Sequence, residues 1–360
     1  MTTRTAPDFA VSLFPANGLA REQLAAKTFT AGITEPDDAP EAARQAADIA
    51  VAAVLSDPLV PKAYAILALA QPEEAKRRAI LDVASQINRR DLFLQGLVLQ
   101  EHIAERNYPR TIETLDQILR VNPEYSREFF PVLVEALGEE ETIPLFANML
   151  DGSSPWHQRF LNFAVGQREI LPNLAVLRQD VFVDDENFDR RLIAGLAGQG
   201  DIAGAEALYR RVSGSDTGLG RYGLLDWKSA YPPFDWRFVD QTGFRAQQSA
   251  DGKELELSVR PGKGGIIAAR LLRTPEPPFE IRNANRISPA DQLRDVRLQL
   301  LCANSQTPFY DERFSNGADG FRIESLPQDC EHMILAINAR AWSGRSALSG
   351  TIQSIEIVKP

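Results

Sequence analysis

The feature that most constrains this chain is a change in the period of its apolar residues. From about residue 40 to residue 213 they recur at intervals of three and four, and Pro or Gly interrupts them about every dozen residues, the rhythm of short antiparallel helices. Beyond residue 231 the period falls to two, in short segments separated by turn residues, as in antiparallel strands. One layer cannot serve both patterns, and 360 residues are enough for two cores. The expected fold is therefore multidomain, a helical array followed by a two-sheet antiparallel β-sandwich. Residues 1–39 form a partly helical N-terminal segment, 40–213 the helical array, 214–230 a linker and 231–360 the β-domain.

Within the array, RDLFLQGLVLQEHIAERN predicts a helix with Leu92, Leu94, Leu97, Val98 and Ile103 clustered on one side. YPRTIETLDQILRVNP predicts the next, with Ile112, Leu115, Ile118 and Leu119 apolar and Pro123 as its stop. The pair resembles a tetratricopeptide repeat, whose second helix carries an aromatic near its start and a later Pro at the spacing of Tyr108 and Pro123. RRLIAGLAGQGDIAGAEALYRRV resembles it again: Gly200 stands at the turn, Ala205 at the close-packing position and Tyr209 at the large one. PVLVEALG, ETIPLFANML, HQRFLNFAVG and LPNLAVLRQ read as further helices in looser register. The resemblance implies an α-solenoid of helical hairpins with a groove that docks a protein partner.

Around SGSDTGLGRYG the composition turns to Gly, Ser and Asp, and helical periodicity stops. The segments FRAQQS, KELELSVRP, GIIAARLLR, FEIRN, DVRLQLLCA, GFRIESLP, MILAINARAW and GTIQSIEIVKP follow as expected strands. Leu255, Leu257 and Val259 alternate with Glu254, Glu256 and Ser258, which gives one buried and one wet face. In the last segment the step from Ile352 to Ile355 breaks the alternation and predicts a bulge. RPGKGG, around Lys263, lacks the spacing of a nucleotide-binding loop and reads as a hairpin turn.

The closing strand resembles that of jelly-roll carbohydrate-binding modules. The whole chain resembles a bacterial type with tetratricopeptide-like repeats followed by a jelly roll opening on a PPFDW element, here Pro232, Pro233, Phe234, Asp235 and Trp236. Gly243, the Gly264–Gly265 turn and ARLL follow it. Such proteins occur in GC-rich proteobacteria near polysaccharide-synthesis genes and are usually held in the envelope by an upstream membrane helix. The resemblance implies an oxidising compartment, and with it a disulfide between the two cysteines, Cys302 and Cys330. Two free thiols in a cytoplasmic protein are the alternative.

A formal charge of −10 and a pI near 5.0 argue against nucleic acid as a partner, because such binding needs clustered cations. No apolar run is long enough to span a membrane. The start lacks the pattern of a signal peptide, so the chain is expected to be either cytoplasmic or preceded by a leader or anchor outside this sequence. His102, His157 and His332 are too scattered for a zinc site, and neither HExxH nor GxSxG occurs. No cofactor is expected. Asp184 with Asp185, or Glu139 to Glu141, reads as solvated surface rather than as a catalytic pair.

The expected function is that of a non-enzymatic scaffold or adaptor of the bacterial envelope, in polysaccharide biosynthesis or export. The solenoid would dock a protein while the β-domain binds glycan or another subunit. A glycan-binding module on a helical spacer and a cryptic glycoside hydrolase or lyase are the alternatives. Sugar rings stack their C–H faces on aromatic rings and need polar neighbours. Trp342 with Arg340 and Arg345, and Tyr310 with Asp311 and Arg313 in the loop TPFYDERFSNGADG, are the candidate glycan residues. Plugging the ends of the β-domain is the competing role for these rings and the expected one for Trp236.

Overall fold

The computed structural model describes residues 5–214, 220–315 and 317–359; residues 1–4 and 215–219 of the expected segments, Asn316 and Pro360 lie outside them. Its contacts divide the chain into two units, Met1–Ala164 with Gln179–Phe182 and Val165–Arg178 with Val183–Pro360.

The first unit is helical: α1 (Pro7–Leu13), α2 (Gly18–Ala31), α3 (Ala39–Ser56), α4 (Pro61–Ala70), α5 (Glu74–Ile87), α6 (Leu92–Ala104), α7 (Tyr108–Val121), α8 (Ser126–Leu137), α9 (Ile143–Met149) and α10 (Pro155–Ala164). Side-chain caps start several of them. Asn17, Asp91 and Asn107 accept from the backbone N–H of Ala20, Leu94 and Arg110 and satisfy donors that the first turn leaves open. Prolines in the first turn of α3, α4, α7 and α9 fit because no partner exists for their missing N–H. From α2 to α8 each helix packs on the next, and α4 also meets α6. α3 shows why the sequence allows this: Ala42, Ala43, Ala46, Ala50 and Ala53 make one buried stripe of small residues, so neighbouring helix backbones can come close. A second core gathers aromatic rings, with Phe146 stacked on Phe160 at 5.7 Å and Trp156 donating to Asp116 Oδ1 at 3.2 Å.

The second unit holds most of α11 (Leu171–Asp180), then α12 (Glu186–Gly198), α13 (Ile202–Ser213) and two antiparallel sheets. Arg178 on α11 grips Asp189 on α12 with two bonds of 2.8 and 3.0 Å. The strands are β1 (Gly223–Leu224), β2 (Arg237–Phe238), β3 (Asp240–Gln241), β4 (Phe244–Gln248), β5 (Leu255–Val259), β6 (Lys263–Arg273), β7 (Phe279–Ser288), β8 (Val296–Cys302), β9 (Tyr310–Arg313), β10 (Gly317–Ile323), β11 (His332–Ala341) and β12 (Leu348–Val358). One sheet runs β10-β7-β12-β5-β4-β3 with β1 on β12; the other runs β2-β6-β11-β8-β9. Inward residues of both, among them Leu257, Ile281 and Ile355 from one and Leu298, Leu335 and Ile337 from the other, share one core.

The expected bulge is present, as a register shift between Ile352 and Ser354. Cys302 and Cys330 are bonded, with sulfurs 2.08 Å apart.

Three local expectations are corrected. Gly264 and Gly265 lie within β6 rather than in a turn, and the turn at Arg260–Lys263 joins strands of different sheets rather than a hairpin pair. Close approach of β11 explains Gly264: a Cβ there would meet Ala339 O at 2.5 Å and Arg340 Cα at 2.6 Å. The segment expected as a loop around Tyr310 contains β9 and the start of β10. The second half of the expected linker belongs to the sheet region: Gly223 and Leu224 pair with β12, and Leu225 and Trp227 are buried in the core.

Candidate functional site

The C-terminal unit carries the sequence-derived candidates at two separate places. Trp342 follows β11 at the turn into β12 and is 51% exposed, whereas Trp156, Trp227 and Trp236 are buried. Arg340 lies over its indole, 4.5 Å from the ring centroid, close enough for a cation–π contact. Arg345 donates its backbone N–H to Trp342 O at 3.1 Å, which closes the turn, and its guanidinium pairs with Asp291 at 2.9 Å. Gln292 donates to Ser346 O at 3.0 Å and ties the neighbouring 3₁₀ turn to the same loop. An exposed ring is thus held on a braced turn with the Arg340 guanidinium over it.

The second set sits on β9, at the edge of the five-stranded sheet. Tyr310 is half-buried and meets Phe321 edge-on at 6.4 Å. Asp311 already accepts from Arg297 at 2.6 Å and from Gln299 at 3.2 Å. Arg313 is exposed and stands opposite Arg297 in the register. The two sets are not brought together: Tyr310 is level with Leu300 and, through it, with Leu335 on β11. Trp342 lies seven residues further along, about 23 Å at strand rise.

Sequence reasoning missed the C-terminal unit's cavity. It has a volume of about 610 Å³ and runs between the end of α12, the start of α13, Pro232–Pro233 and the outward side chains of β6 and β11. Ala197, Ile202, Leu271 and Ile334 make its wall apolar, and Asn304, Glu331 and His332 add polar groups. The disulfide fixes one lip, since Ala303 and Asn304 follow Cys302 while Asp329 and Glu331 flank Cys330. Beside it, buried Glu206 on α13 pairs with Arg210 and Arg273 and stands 3.6 Å from His332 Nε2. These residues are far apart in sequence, and no motif announces them.

The PPFDW element has a structural part in this arrangement. Phe234, Asp235 and Trp236 are all buried. Tyr209 on α13 donates to Asp235 Oδ1 at 2.9 Å, and the Tyr231 N–H donates to Oδ2 at 2.9 Å. Burial first, and then the Asp235 carboxylate, hold the Tyr209 hydroxyl far above its usual pKa, so it stays protonated. Trp236 packs tilted against Trp227, ring centroids 4.9 Å apart, and donates to Asp226 O at 2.7 Å, as a plugging residue does.

Among the described residues no group of three or more His, Cys, Asp or Glu side chains could hold a metal ion, and no helix is long and apolar enough to cross a membrane. No family model and no curated protein sequence matches the chain. Solved structures similar to it include a mutant Xylanase10C from Cellvibrio japonicus in complex with xylopentaose, at 14% identity and a TM-score of 0.24, over 34% of this chain and 26% of that one. This chain thus spans about a quarter of the xylanase's length. TmCBM61 in complex with β-1,4-galactotriose is similar at 8% identity and a TM-score of 0.23, over 35% of this chain and 88% of that one. Accessory secretory protein 1, 2 and 3 in Streptococcus pneumoniae is similar at 10% identity and a TM-score of 0.25, over 39% and 98%. Likeness at this level carries no functional argument.

Proposed function

We propose that the chain is a non-enzymatic adaptor of the bacterial cell envelope, in which tetratricopeptide-like helical hairpins dock a protein and a jelly-roll β-sandwich binds glycan. The observation that carries the reading is Trp342: the other tryptophans are buried, and this one is presented on a braced turn under Arg340. An indole held in water at the end of a sheet is a surface for the apolar face of a sugar, and the adjacent Arg340 guanidinium offers donors to its hydroxyls. The Cys302–Cys330 bond supports an oxidising compartment such as the periplasm. Asp311 supports the Tyr310 set less well, because Arg297 and Gln299 already occupy its carboxylate.

Affinity electrophoresis of the full chain through gels containing envelope polysaccharides, with a glycan array beside it, tests the reading. Retardation that disappears in Trp342→Ala and persists in Tyr310→Phe is the expected result. Equal retardation of Trp342→Ala and the unchanged chain would remove the glycan role from this turn.

A further inference from the structure

The helical unit holds a pocket of another kind. α5, α6 and α7 frame a cavity of about 310 Å³, at the lower end of the range for small-molecule sites and roomy enough for one sugar ring. Val98 is the one aliphatic side chain in its wall, and there is no aromatic ring. A docked protein segment draws most of its affinity from an apolar or aromatic anchor sunk into a pocket, and this wall offers no counterpart to one. Its polar lining suits a hydroxyl-rich molecule instead: Gln86 offers an amide, and Gln95 and Gln117, whose amide nitrogens donate to Asn88 O and Glu113 Oε1 at 3.1 Å, keep carbonyl oxygens that can accept.

Two groups in the wall have unmet capacity. His102 is nine-tenths buried. Its Nδ1 lies 3.2 Å from Thr114 Oγ1, and Thr114 donates its own hydrogen to Arg110 O at 2.8 Å. Thr114 must therefore accept from Nδ1–H, which leaves the neutral ring an acceptor at Nε2. Among the described residues nothing donates to that nitrogen. Arg89 is the second group: Arg110 pairs with Asp82 at 3.3 Å, whereas Arg89 has no carboxylate partner among the described residues. A ligand that fills both needs presents a hydroxyl to His102 and an anion to Arg89.

We propose that this pocket binds an acidic sugar unit, a uronic acid free or at the end of a glycan, with a hydroxyl donating to His102 Nε2 and the carboxylate on Arg89. The site is separate from Trp342 and does not depend on the reading of that turn. The charged groups around the His102 ring are Asp82 on α5, Arg89 just after it, Arg110 and Glu113 on α7, and Glu105 just after α6.

The test uses the full chain carrying Trp342→Ala, so that the two sites are read apart. Glucuronate, glucose and N-acetylaspartate are titrated by calorimetry, and the imidazole ¹⁵N shifts of His102 are followed by NMR. Saturable glucuronate binding is expected, with a shift at Nε2 and weaker binding of glucose. Arg89→Gln, an exposed substitution that leaves the helix core intact, should weaken glucuronate about tenfold or more, as loss of a charge-assisted hydrogen bond does. Absence of glucuronate binding, binding unchanged by Arg89→Gln, or equal binding of N-acetylaspartate would overturn the proposal, the last in favour of an acidic peptide.

Discussion

Single side chains show how local chemistry sets measurable behaviour here. Burial first, and then the Arg110 charge, hold the His102 imidazole below its ordinary pKa. The folded chain therefore binds fewer protons than the unfolded one between the two values, and stability is lost as pH falls through that window. Urea midpoints of the helical unit should drop as pH falls below about 6.5, the unfolded histidine value, and should drop less in His102→Gln. Tyr209 gives a second test. Tyr209→Phe leaves one oxygen of buried Asp235 without its donor and should lower the stability of the C-terminal unit by about 1 to 3 kcal/mol, read by denaturant unfolding with tryptophan fluorescence. The sequence showed Tyr209 as a large residue in a helical repeat. It could not show that its hydroxyl meets a carboxylate 26 residues away, because that contact depends on how α13 lies on the sheet.

Elements were more legible than contacts, for a reason visible in the strands. β5 and β12 bury one face, so alternation in their sequence reports their conformation, and even the bulge at Ile352 shows as a broken period. β9 is a four-residue edge strand whose Asp311, Glu312 and Arg313 are exposed, and a polar edge strand reads like a loop. The pair Gly264–Gly265 misled in the opposite direction. Adjacent glycines usually mark turns, but here Gly264 adopts a φ of +148° within β6 and lets β11 approach. Gly264→Val would put its side chain into the β11 backbone as well as into a disfavoured conformation. A loss above about 2 kcal/mol is expected in chemical denaturation, whereas Gly344→Ala, at a turn with no neighbour near its Cβ, should lose less.

For the molecule as a whole, the informative disagreement is between the change of period and the division of contacts. Periodicity changes between residues 213 and 231, yet the unit that contains the sheets begins at Val165. Period reports local conformation, while a folding unit is defined by what its buried groups touch. A fragment of residues 231–360 would lose Leu225 and Trp227 from the core, β1 from the edge of β12, and Tyr209 and Glu206 from Asp235 and Arg273. Removing a buried tryptophan alone costs about 3 to 5 kcal/mol, and orphaning a buried hydrogen-bond acceptor about 1 to 3 more. These losses rival the whole stability of an ordinary domain, about 5 to 15 kcal/mol. The fragment 165–360 keeps every one of these partners. It should be monomeric in solution and unfold in one cooperative transition, and reduction of Cys302–Cys330, whose residues are 28 apart in sequence, should lower its stability by about 3 to 4 kcal/mol. Fragment 231–360 should show poor amide dispersion and low solubility; if its NMR spectrum overlays that of 165–360, the helices α12 and α13 are dispensable for the sheet and the division at Val165 has no thermodynamic meaning.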